Sequence, residues 1–254
     1  MRLALETYTV RKQARKNLKK TLEDIHALGF RAIELSKIDL TDKNIALIQK
    51  SRLHVSGIML PLSEIQKNLE LWIKHCKDLR CSRLVVSRLS IAAILGGLEP
   101  LRKFINQMNQ VSFLLQGRGI TLCFHHHAWE FETVDGKVRM DILLNELRLP
   151  IKIISDVYWL TYAHQDIPAF YLKVGSRLEG FHLRDLKYKT KNGKKKAVSG
   201  PVGSGLIDWV TLCGYSDAVA YAAIELKSKK PFKEIKESLD YIHHLQVGEG
   251  NEYE

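Results

Sequence analysis

The segment ITLCFHHHAWEFE, residues 120–132, places three consecutive histidines directly after a short apolar run. The run at 120–124 has the length and composition of a buried β-strand. Side chains alternate in direction along a strand, so His125 and His127 share one face while His126 points the other way, towards surrounding helices. The segment therefore predicts a buried strand that ends in two imidazoles on one face.

On both sides of this segment, short apolar runs alternate with stretches of helical periodicity. The predicted strands are 3–8, 32–35, 54–58, 84–87, 120–124, 151–155, 178–183 and 219–224. The predicted helices are 12–28, 42–50, 64–79, 100–116, 140–147, 167–174 and 206–212, with a last helix that begins at Pro231.

Strict alternation of strands and helices implies parallel strands joined by right-handed crossovers. Eight such units in a chain of about 250 residues favour a closed barrel over an open sheet. We therefore expect an α/β fold, a (β/α)8 TIM barrel, as a single domain over residues 1–247 with a polar tail at 248–254. The longest segment without a predicted element is 184–205.

The composition is that of a globular protein, with 45% hydrophobic and 26% charged residues among 254. No apolar run approaches the roughly 18 residues that cross a bilayer, and the start, MRLALETYTVRK, becomes polar too soon for a secretory signal. The four cysteines form no CxxC pair, which favours reduced thiols. We expect a cytoplasmic protein with no membrane partner.

Polar residues cluster where the predicted strands end, which is the functional face of a TIM barrel. They are Glu34 after the second strand, His125, His127, Trp129 and Glu130 after the fifth, Asp156 after the sixth, His182, Arg184 and Asp185 at the seventh, and Glu225 after the eighth. Strands five to eight are neighbours in such a barrel. Their histidines and carboxylates form a mixed nitrogen and oxygen set, which suits Mn²⁺, Zn²⁺, Co²⁺ or Fe²⁺ better than Ca²⁺.

Six motifs in order resemble the xylose-isomerase-like sugar phosphate isomerase and epimerase superfamily, which also contains endonuclease IV. They are ETYTVRKQ at 6–13, LGFRAIEL at 28–35, HVSGIMLPLSEI at 54–65, FHHHAWEFE at 124–132, SDVYWLTYAHQDIPAFYLKVGSRLEGFHLRDLK at 155–187 and VGSGLIDW at 202–209. The most specific is FHHHAWEFE, which is similar to the "YHNHxxEF" motif of one branch.

The resemblance implies functional residues as well as a fold. The implied metal ligands are His125, Asp156, His182 and Glu225. The implied catalytic groups are Glu130, His127 and Glu225, and the substrate contacts are Glu34, Trp129, Arg184 and Asp185, with Asp185 also able to orient a ligand histidine. Four positions depart from the family pattern. Met59 stands where a histidine is frequent, Lys227 where an aspartate is frequent, His164 at the glycine of the "AGxD" motif and Ser204 at the glutamate of the "vGeG" motif.

The family chemistry predicts a metal-dependent sugar isomerase or epimerase that forms an enediolate on a ketose or keto-sugar. A keto-sugar lyase uses the same polarisation and is an alternative. The departures at Met59 and Lys227 leave open a non-catalytic sugar-binding or regulatory barrel. An endonuclease of the endonuclease IV kind has only the net charge of +11 in its favour, because a multinuclear site needs more ligands.

We expect a small carbohydrate as partner, free or bearing a phosphate or acid group, while nucleic acid is disfavoured and a homo-oligomer stays open. The run KYKTKNGKKK at 187–196 follows the seventh strand, on the functional side of the barrel. Two interpretations apply to it: a lid whose lysines attract an anionic sugar, or a solvated loop.

Overall fold

The computed structural model describes residues 2–249. Within them the strands, in chain order, are β1 (Arg2–Glu6), β2 (Ala32–Leu35), β3 (His54–Leu60), β4 (Arg83–Val86), β5 (Thr121–His125), β6 (Thr133–Val134), β7 (Lys137–Val138), β8 (Lys152–Asp156), β9 (Leu178–Leu183), β10 (Asp185–Lys191), β11 (Lys194–Gly200) and β12 (Tyr221–Ile224). The helices are α1 (Arg11–Lys16), α2 (Leu18–Ala27), α3 (Asp42–Lys50), α4 (Leu62–Lys67), α5 (Leu69–Asp78), α6 (Ile91–Leu95), α7 (Leu98–Leu115), α8 (Arg139–Glu146), α9 (Val157–Tyr162), α10 (Ile167–Val174), α11 (Trp209–Cys213) and α12 (Pro231–Glu249).

Eight of these strands close into a barrel in the order β1-β12-β9-β8-β5-β4-β3-β2. Every pair in the barrel is parallel, and the first and last strands close it by pairing Leu5 with Ile224. The remaining strands form two small antiparallel pairs, β6 with β7 and β10 with β11. The predicted (β/α)8 barrel is therefore confirmed, and each predicted strand lies close to its expected position.

The interior of the barrel is narrow because small residues line most of it. Its apolar cluster consists of Ala4, Ala32, Val85, Cys123, Ile154, Tyr221 and Ala223. The Tyr221 ring fits because two strand positions lack a side chain: a Cβ at Gly180 would lie 3.0 Å from the ring Cε1 of Tyr221, and one at Gly57 would lie 3.3 Å from its hydroxyl. A larger cluster packs between the strands and the outer helices.

Two predicted helices are each divided in two. The segment 12–28 breaks at Asn17, which adopts an extended backbone (φ −156°) and caps α2 by accepting a hydrogen bond from the Lys20 N–H. The segment 64–79 breaks at Asn68, between α4 and α5. Such breaks let a crossover bend around the barrel, and apolar periodicity alone does not reveal them.

The segment 184–205 contains a β-hairpin, so the prediction of irregular structure there is wrong. Strands β10 and β11 pair in antiparallel register from Asp185 and Gly200 towards the turn. The turn is Asn192–Gly193, and both residues have positive φ, at 51° and 71°. Asn-Gly between two β-prone runs is a strong hairpin signal, because both residues tolerate that conformation. The prediction missed this signal because the many lysines of the run favoured a solvated loop.

The last helix continues through Gly248 to Glu249, and residues 250–254 of the predicted tail lie outside the described residues. None of the helices in the described part of the chain combines the length and apolar content needed to cross a membrane. Cys76, Cys81 and Cys123 are buried free thiols.

Candidate metal centre and active-site cavity

Four side chains meet at the C-terminal rim of four neighbouring barrel strands. They are His125 at the end of β5, Asp156 at the end of β8, His182 in β9 and Glu225 directly after β12. One potential ligand atom from each lies within 4.8 Å of the others. The structure thus brings together the four residues predicted as metal ligands.

The His125 imidazole is held by one nitrogen and leaves the other without a hydrogen bond. Its Nδ1 lies 3.2 Å from the Ser87 carbonyl oxygen, which can only accept, so Nδ1 carries the proton. In the neutral ring, Nε2 then presents a lone pair. That nitrogen is buried, has no hydrogen-bond partner, and lies 3.4 Å from the Asp156 Oδ2. A buried, unpaired nitrogen facing a carboxylate is the local arrangement that a bound cation completes.

His182 lies between two carboxylates. Its Nε2 is 2.6 Å from the Glu34 Oε2 and its Nδ1 is 3.0 Å from the Glu225 Oε2, and the Tyr221 hydroxyl donates to the other oxygen of Glu34. Burial disfavours a charged imidazole, but the Glu34 and Glu225 carboxylates outweigh it and hold the pKa of His182 well above its usual range. The carboxylates thus stabilise the protonated ring here, and a metal ion would have to displace one proton from it.

Arg184 connects the two carboxylates of the group. Its Nη2 donates to the Asp156 Oδ2 at 2.6 Å and its Nη1 to the Glu225 Oε1 at 2.9 Å. Burial alone would raise the pKa of Asp156, but the Arg184 charge and the neighbouring histidines lower the pKa of that carboxyl well below its usual range. Asp156 also caps α9 through its Oδ1, which accepts from the Trp159 N–H. Burial opposes ionisation of Glu225 as well, but the Arg184 charge and the hydrogen bond with His182 lower its pKa to about 2. Both acids are therefore present as carboxylates.

A cavity of about 690 Å³ opens above this group. His125, His127, Arg184 and Glu225 line it on the side of the candidate ligands, and Trp159 contributes an aromatic wall. The opposite side carries residues from the ends of the first four strands, including Met59, and Lys227 lies at the cavity as well. Of the described residues that line the cavity, none belongs to the hairpin β10–β11. The structure therefore does not place the lysines of that hairpin against the cavity.

His127 lines the cavity, whereas Trp129 supports it from behind. The two rings stack with centroids 5.0 Å apart, and Trp159 packs on His127 at 5.4 Å. Burial and the nearby His125 lower the pKa of His127 to about 2, so its ring is neutral at physiological pH. Its buried Nδ1 has no hydrogen-bond partner. His127 can therefore exchange hydrogen bonds with a ligand but is a poor proton donor.

Glu130 does not reach the cavity, so we withdraw its assignment as a catalytic group. After β5 the chain turns into a short 3₁₀ segment, Trp129–Phe131, which buries the Glu130 side chain completely. Its Oε2 accepts the His127 N–H at 2.8 Å, and burial raises its pKa to about 7. Glu130 thus holds the backbone at the exit of β5.

Two further predicted substrate contacts, Glu34 and Asp185, do not line the cavity. Glu34 lies inside the barrel, where it contacts His182 and Tyr221 and does not line the cavity. The Asp185 carboxylate accepts from the Leu186 and Ile207 N–H groups and from the Trp209 Nε1. The expectation that Asp185 orients a ligand histidine is therefore not met: it anchors the segment after the hairpin.

Among the cavity residues that the sequence analysis missed, two stand out. Glu6, the last residue of β1, lines the cavity, and so does Trp159 in α9. Glu6 could have been found by the rule applied to the other strands, since it is a polar residue at a strand end. Trp159 gave no such signal, because it lies in a helix that the apolar pattern did not separate from the preceding strand.

A (β/α)8 barrel with two imidazoles and two carboxylates converging at its C-terminal rim defines the class of protein: a barrel with a candidate divalent-cation site below a small-ligand cavity. Comparison with known families specifies it further. The chain belongs to the xylose isomerase-like TIM barrel family, whose model matches residues 22–246.

Solved structures with the same fold include three informative ones. A sugar phosphate isomerase/epimerase from Parabacteroides distasonis is 16% identical, with a TM-score of 0.76 and coverage of 95% of each chain. A probable 3-DHS dehydratase from Bacillus anthracis is 12% identical, with a TM-score of 0.76 and coverage of 96% of this chain and 99% of that one. The IolI protein with a bound zinc atom is 15% identical, with a TM-score of 0.66 and coverage of 98% and 97%. Such identities show the fold alone, and no curated protein matches the sequence.

Proposed function

We propose that this protein is a metal-dependent isomerase or epimerase that acts on a ketose or keto-sugar. The observation that carries the proposal is the unpaired, buried Nε2 of His125 within a group of four potential ligands at the floor of the cavity. A buried nitrogen without a partner is costly, and a bound cation removes that cost.

The donor set fits a divalent transition-metal ion. His125, Asp156, His182 and Glu225 would hold it, and two imidazoles with two carboxylates are typical for Mn²⁺, Zn²⁺, Co²⁺ or Fe²⁺. When bound, such an ion polarises a carbonyl group and holds an adjacent hydroxyl. The zinc in the IolI structure supports this assignment by analogy of fold.

The chain's own residues would then bind the sugar and move a proton. Glu225 is the carboxylate of the group that also lines the cavity, so it is the candidate base for the proton on the carbon beside the carbonyl. The C–H electron pair passes into the new carbon–carbon double bond as the carbonyl π pair moves to oxygen. The neutral His127 ring offers Nδ1 to a hydroxyl, and the Trp159 ring provides an apolar wall.

A lyase is the second candidate, because removal of the same proton can be followed by loss of a β-substituent. The label of the Bacillus anthracis structure, a probable dehydratase, supports this chemistry on the same fold. A non-catalytic barrel draws support from Arg184, which already pairs with Asp156 and Glu225. Against an endonuclease of the multinuclear type, the described residues bring together a single group of four ligands.

The test begins with metal content after dialysis against Mn²⁺ or Zn²⁺. We expect one ion per chain in the wild type and loss of that ion in His125→Ala and Asp156→Asn. Asparagine keeps the cap of α9 but loses the ion pair with Arg184. Alanine at 125 removes the hydrogen bond to Ser87 and the ring contacts with His127 and His182, so circular dichroism first establishes that both variants fold. Unchanged metal content in both variants would refute the ligand assignment.

Turnover is then measured by NMR in D₂O with free and phosphorylated ketoses and 3-keto sugars. An isomerase or epimerase incorporates deuterium at the carbon beside the carbonyl and conserves the substrate's composition, whereas a lyase yields an unsaturated product. Glu225→Gln should abolish the exchange. A metal-loaded wild type without exchange on any sugar would favour the non-catalytic barrel.

A further inference from the structure

Glu6 has a buried carboxyl group in which one oxygen makes no hydrogen bond within the protein. It ends β1, which pairs with β12, so it lies on the strand next to the one followed by Glu225. Its side chain is buried, at 1% exposure, and lines the cavity. Its Oε2 accepts the Tyr8 N–H at 2.9 Å, while its buried Oε1 has no hydrogen-bond partner.

The surroundings of Glu6 disfavour the charged form of its side chain. Burial raises the pKa of Glu6 well above its usual range, and repulsion from Glu225 and Glu34 adds to the effect. The positive charge of His182 and the Ser36 hydroxyl offset only part of it. Glu6 is not in the four-ligand group either. A buried, unpaired polar atom that costs stability, on a side chain that lines a cavity, is typical of a group kept for a ligand.

We propose that Glu6 contacts the substrate directly and determines its specificity: its Oε1 binds a hydroxyl of a polyhydroxylated ligand, beyond the carbonyl–hydroxyl pair at the ligand group. This inference rests on the proposed function. A carboxyl oxygen can serve a hydroxyl in either protonation state, by accepting as the carboxylate or by donating as the acid.

The same geometry explains how the site would reject shorter ligands. A compound without the additional hydroxyl still covers the cavity partly but leaves Oε1 unpaired. Sites built to hydrogen-bond a hydroxyl discriminate strongly against analogues that lack it, since the buried polar group is then left without a partner. Leu35, Ile58 and Met59, which line the cavity near β2 and β3, are apolar and cannot replace that contact, whereas Ser36 offers a hydroxyl beside Glu6.

The experiment compares two polyols on the Mn²⁺-loaded protein. Ethane-1,2-diol supplies only one pair of adjacent hydroxyls, whereas xylitol supplies three more. Binding is followed by tryptophan fluorescence, because Trp72 and Trp159 both line the cavity. We expect the wild type to bind xylitol more tightly than the diol by about tenfold or more, the size of one net hydrogen bond in a buried site.

The variants test whether Glu6 supplies that gain. Glu6→Met, which is similar in length and has no polar side-chain N or O atom, should lose most of the xylitol preference but keep one metal ion per chain. Glu6→Gln should recover part of the preference, which a role in packing alone would not produce. Glu64→Gln is the matched control, since Glu64 also lines the cavity but its Oε1 already accepts from Asn68 at 2.8 Å. It should keep the full preference.

An unchanged xylitol preference in Glu6→Met would overturn the role of Glu6 and leave the proposed function standing. Failure of the metal-loaded wild type to bind either polyol would overturn both. If Glu6→Met does not fold, the crystal structure of the Mn²⁺–xylitol complex decides: a hydroxyl within about 3.2 Å of the Glu6 Oε1 supports the inference, and its absence refutes it.

Discussion

His125 and Glu130 are both buried at the exit of β5 with one polar atom unpaired, yet they differ in what surrounds that atom. The free nitrogen of His125 faces the Asp156 carboxylate at the cavity floor. The free oxygen of Glu130 lies behind the cavity wall, where the His127 N–H occupies its other oxygen. We therefore assign His125 to ligand binding and Glu130 to holding the backbone that carries His127.

The position of Glu130 predicts a pH-dependent stability. Its pKa is about 7 in the folded chain against an ordinary value of 4.5, so the unfolded chain releases this proton first. The stabilisation is complete below about pH 4.5 and is lost as the pH rises through 7, by up to about 3 kcal/mol. Glu130→Gln lacks this term, so its unfolding free energy relative to wild type should rise between pH 4.5 and pH 8.

Urea unfolding at several pH values measures this difference, in which the other titrating groups cancel. Glu99→Gln serves as control, because Glu99 is an exposed residue in the first turn of α7. Its difference from wild type should stay constant with pH. A constant difference for Glu130→Gln as well would contradict the burial-driven shift of the Glu130 pKa.

At the scale of elements, the motif VGSGLIDW explains how the chain returns to the barrel after the hairpin β10–β11. Asp185 receives three hydrogen bonds, from Leu186, Ile207 and Trp209. Gly205 permits this approach, because a Cβ there would lie 2.2 Å from the Leu186 carbonyl oxygen. The motif thus fixes the segment before α11 by packing. Ser204, which stands at the position of the family's glutamate, does not line the cavity.

Gly205→Ala should therefore destabilise the protein by about 1–3 kcal/mol through overpacking against the backbone. Urea unfolding gives the value. Gly97→Ala is the matched control, since a Cβ at Gly97 meets only the Asp135 Oδ2, at 3.9 Å. Equal effects of the two substitutions would show that close approach of the backbone at Gly205 is not what requires glycine.

At the scale of the whole molecule, the candidate site is rich in acidic side chains although the protein as a whole is basic. The chain carries a net charge of +11, yet Glu34, Asp156 and Glu225 gather around His182 and Arg184 at one end of the barrel. This acidic centre can bind a cation despite the basic surface, because buried charges are screened less than distant ones. The ligands also belong to four different strands, so an ion would connect half of the barrel.

Metal binding should consequently stabilise the fold as a whole. At a free ion concentration about 100 times the Kd, binding adds about 2.7 kcal/mol, which corresponds to a rise in Tm of about 5–10 °C for a chain of this size. Differential scanning calorimetry with and without Mn²⁺ measures the rise. His125→Ala should lose it and Glu130→Gln should keep it. The same rise in both would mean that the ion binds elsewhere.

The sequence alone determined the barrel and the candidate ligands. Eight alternations of apolar runs and helical periods specify parallel strands, and the alternation of side chains along β5 separates His125 and His127 from His126, which the structure places against Phe131 and Phe170. Because neighbouring strands end at the same rim, polar residues at strand ends predict which side chains converge. The sequence also contains a hairpin signal, Asn192–Gly193, which the prediction of irregular structure at 184–205 overlooked.

Only the tertiary structure decided how deep each polar residue lies and which way the chain turns beyond a strand. Glu34 stands one residue before the end of β2 and points into the barrel beneath His182, whereas Glu6 ends β1 and faces the cavity. A 3₁₀ turn buries Glu130, and the Asp185 carboxylate accepts a hydrogen bond from the Trp209 Nε1. Periodicity encodes the face of a strand, but height along the barrel axis and the path of a loop depend on packing between residues far apart in sequence.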